Sequence, residues 1–287
     1  MDEFTGRVAV VTGAGSGMGK AFAARFAAEG MRIVAADIQQ DALDRTVQEL
    51  TAGGTEAIGV RTDVSDPAAV QRLADVTADR FGPVHLLCNN AGVEGYLDGP
   101  IWEATDKDWS WTVDVNFWSV VHGIRAFLPG MLAHGQPAHV VNTCSMTSVV
   151  AASNMYGITK QAVLALTEVL AADLRARGAD IGVTALCPGI IATNLFQGSR
   201  NRPDELRNSD ETPGAREGAE LRERMHETLS AGMPPTEVAD LLVDAVRRNA
   251  PYLLTDHDWD HLVQARSEAI LGGAVGGPAR PLPGARE

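Results

Sequence analysis

Short apolar runs rich in Val, Ile and Ala recur along the chain at 7–11, 31–36, 56–61, 84–88, 138–143, 181–187 and 251–254. Runs of this length and composition read as buried strands. Between them, stretches suited to helices fall at 17–29, 40–51, 67–81, 105–132, 156–177 and 235–248. Strand and helix signals alternate without a linker to about residue 255, and no tandem repeat is visible. That alternation predicts an α/β fold in which a parallel sheet is covered by helices on both faces. One domain is expected over 1–271, with a long insertion at 194–233 and a Gly-, Pro- and Ala-rich flexible tail at 272–287.

The first strand, Arg7 to Val11, runs into Thr12-Gly13-Ala14-Gly15-Ser16-Gly17-Met18-Gly19, and a helix-forming stretch follows. Strand, glycine loop and helix make the context of a dinucleotide fingerprint, and the sheet is then a single-domain, Rossmann-type doubly wound one of about seven strands. Glycines let the backbone approach a pyrophosphate, and the helix start offers free N–H groups to the anion. The spacing is G-x-x-x-G-x-G, at Gly13, Gly17 and Gly19. Asp37 ends the second strand 18 residues after Gly19. A carboxylate there accepts hydrogen bonds from ribose hydroxyls and repels a 2′-phosphate. Ile38 and Ser16 supply no charge to hold that phosphate, so NAD is expected over NADP. Asp37 also has the position to cap the helix starting near Gln39, and both roles can coexist.

Tyr156-Gly157-Ile158-Thr159-Lys160 places a phenol and an ammonium on one face of a helix. A free phenol has a pKa of about 10, and a nearby cation pulls it down. Reaching about 7 takes roughly 4 kcal/mol, at about 1.36 kcal/mol per unit. The lysine supplies part of that, and an oxidised nicotinamide ring is a second source of positive charge.

The chain resembles the shorter, non-extended branch of the short-chain dehydrogenase/reductase family. The matching pieces are Thr12-Gly13 through Gly19, Asp63-Val64, Asn89-Asn90-Ala91-Gly92, Asn116, Ser145, Tyr156 with Lys160, and Pro188-Gly189 followed by Thr193. They stand in the family's order over roughly 5–195. The resemblance implies that Tyr156 is the general acid/base, that Lys160 lowers its pKa and holds the nicotinamide ribose, and that Ser145 hydrogen-bonds the substrate oxygen. It implies that Asn116 holds a water linking Lys160 to solvent. It further implies cofactor contacts from Gly13, Ser16, Gly17, Met18, Gly19, Asp37 and Ile38. Others are implied at Asp63, Val64, Asn90, Ala91 and Gly92, then at Pro188, Gly189, Ile191 and Thr193. The implied activity is hydride transfer between NAD and a secondary alcohol or ketone. An imine reductase would use the same chemistry on C=N, and a nucleotide-binding regulator would keep the fold without turnover.

One departure touches the centre of the motif. Ser145 precedes Tyr156 by 11 positions, a loop shorter than the family's, and the family's spacing falls instead on Thr143. Strand alternation puts 143 and 145 on one face. Ser145 is preferred because it stands at the open end of the strand, with Thr143 deeper and Ser148 a loop hydroxyl.

Composition narrows the remaining choices. The 287 residues carry 45% hydrophobic positions, enough for a sizeable core. A net charge of −13 speaks against nucleic acid and anionic membrane surfaces. Cys88, Cys144 and Cys187 fall at strand ends, as reduced packing thiols would, and the opening residues form no signal peptide, so a cytoplasmic location is expected. Asp256 to His261 carries two histidines among carboxylates, and a solvated helix start is preferred there over a metal site. Trp102 is a further candidate substrate contact. Glu94 and Tyr96, Met146 and Met155, and Leu195 and Phe196 are the candidate substrate contacts, giving an apolar pocket for a hydrophobic or cyclic alcohol. The resemblance makes 194–233 a substrate lid and 105–132 with 156–177 the face of a homotetramer or homodimer.

Overall fold

Val8, Ala9, Val10 and Val11 are wholly buried. A strand buried on both sides must lie inside a sheet with helices above and below. The computed structural model, which describes residues 1–209 and 214–274, places it there. The strands are β1 (Val8–Thr12), β2 (Arg32–Asp37), β3 (Ala57–Arg61), β4 (Leu86–Asn89), β5 (Ala138–Thr143), β6 (Ile181–Cys187) and β7 (Tyr252–Leu254). The helices are α1 (Gly17–Ala28), α2 (Gln40–Ala52), α3 (Pro67–Phe81), α4 (Asp106–Val113), α5 (Ser119–His134), α6 (Met146–Val149), α7 (Met155–Ala176), α8 (Ala215–Ser230), α9 (Pro235–Arg247) and α10 (Asp260–Leu271).

All neighbouring strands run parallel, in the order β3-β2-β1-β4-β5-β6-β7. Alternate residues of β1 face opposite cores. Ala9 and Val11 pack with Phe22 and Phe26 of α1 and Val238 and Leu242 of α9. Val8 and Val10 pack with Leu73 of α3, Phe127 of α5 and Leu170 of α7. The chain winds outward from β1 to β3, then returns to the other side of β1 for β4. The connections leaving β1 and β4 therefore diverge, and a crevice opens at their carboxyl ends. Register brings the chemistry to that crevice: Thr12 lies opposite Ala36, and Asn89 opposite Asn142.

The stretch expected as one helix over 105–132 is two, joined by a π-helical turn at Asp114–Trp118. Its extra residue per turn is invisible in an amphipathic pattern, and π-turns cluster at functional sites. Here the turn carries Asn116, which is wholly buried. The loop expected at 146–155 contains a one-turn helix, α6, capped by Ser145. Residues 275–287 of the expected tail and 210–213 of the insertion lie outside the described residues.

Candidate active site

The glycine loop is shaped by what its neighbours leave no room for. Gly13 and Gly17 have φ of +68° and +52°, the left-handed region that favours glycine. A Cβ on Gly13 would stand 3.0 Å from Ala91 Cα, and one on Gly19 only 2.1 Å from the Gly13 carbonyl oxygen. Helix α1 starts at Gly17 with no acidic residue in its first turn, which leaves its amino terminus fit for an anion. The spacing argument passed over Gly15, although its N–H donates to Asp37 Oδ2 at 2.8 Å and a Cβ there would strike that carboxyl at 2.9 Å. The Gln39 N–H donates to Asp37 Oδ1 at 2.9 Å. Asp37 is thus fixed between loop and α2, while the cap position itself belongs to Gln39. Thr12 Oγ1 accepts from the N–H groups of Asn90 and Ala91 at 2.9 and 3.1 Å, which ties the ends of β1 and β4 together.

A cavity of about 210 Å³ runs along this edge. Gly13, Ser16, Gly17, Met18, Asp37 and Ile38 line one end, with Asp63 and Val64 beside them. Asn90, Ala91, Gly92, Thr193, Tyr156 and Lys160 complete the expected set along it. Four expected residues stand behind the wall instead. Gly19 packs beneath the loop on Gly13. Pro188 gives its carbonyl to the Met146 N–H at 2.8 Å, and the Gly189 N–H donates to Thr255 Oγ1 at 2.9 Å. Ile191 is buried and bridged to Met233.

Asn154 caps α7 by accepting from the Gly157 N–H at 2.9 Å, and so starts the helix one residue before Tyr156. The Lys160 ammonium sits over the Tyr156 ring, 5.6 Å from its centre, and donates to the Thr143 carbonyl at 2.7 Å. Burial pulls Lys160 down to about 8 and pushes the Tyr156 phenol up to about 12, with the Ser145 hydroxyl working the other way on the phenol. Burying a phenolate is costly, which raises the phenol, and the Lys160 ammonium is at the same time engaged by the Thr143 carbonyl.

Ser145 has two structural partners. Its Oγ accepts from the Thr147 N–H at 3.1 Å, and its own N–H donates to Ser148 Oγ at 3.1 Å. Ser148 is buried rather than a loop hydroxyl, and its Oγ donates to the Lys160 carbonyl at 2.8 Å. The short loop is therefore braced onto α7. Ser145 does not line the cavity, whereas Thr143 does; the Ser145 hydroxyl is still the one whose hydrogen bonding bears on Tyr156. Asn116 Oδ1 accepts from the Val93 N–H at 2.8 Å, and its Nδ2 donates to the Val93 carbonyl at 3.0 Å and to Thr159 Oγ1 at 3.1 Å. It fastens the segment after Gly92 to α7.

Of the expected substrate contacts, Leu195 lines the cavity and Phe196 lies half-buried next to it in sequence. Glu94, Tyr96, Met146 and Met155 are buried outside it. Met146 packs among Val120, Val163 and Trp259. Trp102 is 81% exposed, and Trp111 is the tryptophan that lines the cavity.

Glu94 faces the insertion. It accepts from the Ser199 N–H at 3.1 Å and from the Ser199 hydroxyl, and it lies 3.8 Å from Arg222. Arg222 also pairs with Asp98 at 2.8 Å. Asp108, 1% exposed, pairs with Arg202 at 2.8 Å and accepts from Asn208 Nδ2 at 3.0 Å. The Arg202 guanidinium stacks 5.0 Å from the Trp111 ring. Three carboxylates of the 94–108 segment thus latch the insertion, whose Asn194, Leu195, Gly198, Arg200, Asn201, Pro203 and Leu206 reach the cavity. Apart from Leu195, sequence reasoning missed these contacts, and opposite charges in two distant segments were their only signal. Cys88, Cys144 and Cys187 are buried and unpaired. His257 pairs with Asp260 at 3.2 Å, and among the described residues no group of three or more His, Cys, Asp or Glu is placed to hold a metal ion.

A crevice floored by a glycine loop and closed by a Tyr-x-x-x-Lys helix is the site of a dinucleotide-dependent oxidoreductase. Residues 7–204 match the family model described as short chain dehydrogenase, and the chain belongs to that family. It is 45% identical over 194 residues to 1-deoxy-11-beta-hydroxypentalenate dehydrogenase of Streptomyces exfoliatus, covering 67% of this chain and 70% of that one. It is 31% identical to the CLA biosynthesis dehydrogenase/reductase of Lactiplantibacillus plantarum, over 94% of this chain and 95% of that one. A short chain dehydrogenase/reductase from Burkholderia phymatum, solved in complex with NAD, superposes with a TM-score of 0.92 at 42% identity, covering 98% of this chain and all of the other. The chain is an oxidoreductase of alcohols and ketones that depends on a nicotinamide dinucleotide.

Proposed function

We propose that this protein is an NAD-dependent dehydrogenase that interconverts a hydrophobic, cyclic secondary alcohol and its ketone. The observation that carries the reading is one cavity lined at one end by Asp37 and the glycine loop and elsewhere by Tyr156 and Lys160. The fit to a dinucleotide rests on the space the glycines leave and on the fixed Asp37 carboxylate, which favours ribose hydroxyls over a 2′-phosphate. The NAD bound to the Burkholderia phymatum structure and the 1-deoxy-11-beta-hydroxypentalenate named for the Streptomyces exfoliatus relative support it.

A nicotinamide ring held here would supply the hydride chemistry; position, proton and electrostatics come from the chain. Tyr156 holds a proton at its phenol oxygen and gives it to the oxygen of a ketone under reduction, or takes it from the alcohol in reverse. Ser145 donates a hydrogen bond to that oxygen as charge develops. Lys160 holds positive charge beside the phenol and orients the nicotinamide ribose, and Asn116 keeps the adjoining backbone in place. Val93, Trp111, Leu195, Pro203 and Leu206 give the cavity apolar walls that exclude water.

No described helix is long and apolar enough to cross a membrane, and we place the protein in the cytoplasm as a homotetramer or homodimer joined through α5 and α7. Trp118 beside α5, with Ile158 and Val169 on α7, is exposed in the single chain.

The test incubates purified protein with NAD or NADP and a panel of cyclic secondary alcohols, following reduced cofactor. NAD-dependent turnover is expected, with Tyr156→Phe lowering kcat by at least about 10²-fold, the usual worth of a general acid/base, while NAD affinity is retained. Near-normal turnover in Tyr156→Phe refutes the mechanism.

A further inference from the structure

The cavity is lined by three carboxylates, Asp37, Asp63 and Asp114, and by two cations, Lys160 and Arg200. A dinucleotide brings two further negative charges on its diphosphate. Lys160 is buried and committed to the Thr143 carbonyl. Arg200 forms no ion pair among the described residues, and its one side-chain hydrogen bond there runs from Nη1 to the Gln197 carbonyl at 2.6 Å.

The position of Arg200 is bracketed by two contacts of the insertion with the cofactor edge. On one side, Thr193 Cγ2 lies 3.2 Å from where a Cβ on Gly17 would stand, directly on the phosphate loop. On the other, Gln39 Nε2 donates to Asn201 Oδ1 at 2.7 Å, two residues beyond Asp37. The 3₁₀ turn Leu195–Asn201 thus spans from the phosphate loop to the ribose end, with Arg200 on it. The latch at Asp108 and Glu94 holds the turn in that place.

We propose that Arg200 is a cofactor-binding residue that caps the dinucleotide diphosphate from the side opposite α1. The insertion then serves the cofactor as well as the substrate. Guanidinium donors in a fork match phosphate oxygens, and a charge-assisted hydrogen bond outweighs a neutral one. A 2′-phosphate is the other phosphate within reach of an arginine here, but the Asp37 carboxylate stands on that side. The proposal rests on the dinucleotide reading above, and its test separates the two.

Binding of adenosine, ADP-ribose, 2′-phospho-ADP-ribose and NAD is measured by calorimetry for the wild type, Arg200→Gln and Arg200→Lys. Arg200→Gln is expected to raise the Kd of ADP-ribose and NAD about tenfold or more, to leave adenosine unchanged, and to be partly rescued in Arg200→Lys. Arg200 is exposed and free of ion pairs among the described residues, so thermal melting should match the wild type. Unchanged ADP-ribose affinity in Arg200→Gln overturns the assignment, as does a loss shared with adenosine or confined to the 2′-phosphorylated ligand. Failure of the wild type to bind any of these ligands overturns the dinucleotide reading itself.

Discussion

Removing the Asp108 carboxylate should release the insertion. Asp108 is 1% exposed, and it holds Arg202, Asn208, and both the N–H and hydroxyl of Thr105. Burial raises this carboxyl, but the hydrogen bonds from Asn208, Thr105 and Arg202 together hold it below the ordinary carboxylate range. Asp108→Ala leaves a guanidinium with only 10% exposure unpaired. Breaking a buried pair from one side costs about 3–5 kcal/mol, and losing the capping box at the start of α4 costs about 0.5–2 kcal/mol on its own. Arg202→Met should cost less, since Asn208 and Thr105 still serve the carboxylate. The double variant should then cost at least about 1 kcal/mol less than the sum of the two, as coupled neighbours do. Because the insertion can open before the core does, proteolysis between 194 and 209 is the direct assay. It follows the population of the opened form when reclosing is fast. A loss of 3 kcal/mol raises that population about 10²-fold. Cleavage of Asp108→Ala within about threefold of the wild-type rate, or additivity in the cycle, would refute the latch.

Gly19→Ala places a methyl 2.1 Å from the Gly13 carbonyl and 2.7 Å from Asn90 Nδ2. Backbone must move, so a stability loss of about 1–3 kcal/mol in urea denaturation is expected, with NAD binding weakened; wild-type values for both would sink the packing argument. His139 is wholly buried, burial lowers it to about 3, and its Nε2 meets Thr184 Oγ1 at 2.8 Å. The unfolded chain takes up a proton near pH 6.5 that the folded chain refuses, so stability is full above that pH and falls on acidification towards about 3. Near pH 5 the loss attributable to His139 should reach about 2 kcal/mol. The stability difference between wild type and His139→Gln should follow that slope, and a pH-independent difference refutes it.

All seven strands were legible within about two residues, because central strands buried on both faces, such as β1 and β4, are mostly apolar and the edge strands keep short β-branched or apolar runs. The glycine loop was legible because a backbone that turns with positive φ and packs within 3 Å of a neighbour admits no side chain. Asp37 and the Tyr156–Lys160 pair were legible as well, since each sits at a fixed offset from a local element.

Other features depended on which segments meet. Glu94, Met146 and Met155 have the residue types of a pocket wall, and only packing turns them away from the cavity. The π-turn at Asp114–Trp118 leaves no trace in a periodic pattern, yet it buries Asn116 against Val93. Burial raises the phenol of Tyr156, and burial acts through all of its surroundings, while sequence spacing reports a single neighbour. The pairing of Asp108 with Arg202, some ninety residues away in the chain, is a tertiary decision. Local sequence sets backbone conformation and the offsets within one element. Long-range packing sets solvation and partners across elements, and in this protein those decide how the insertion packs against the cavity.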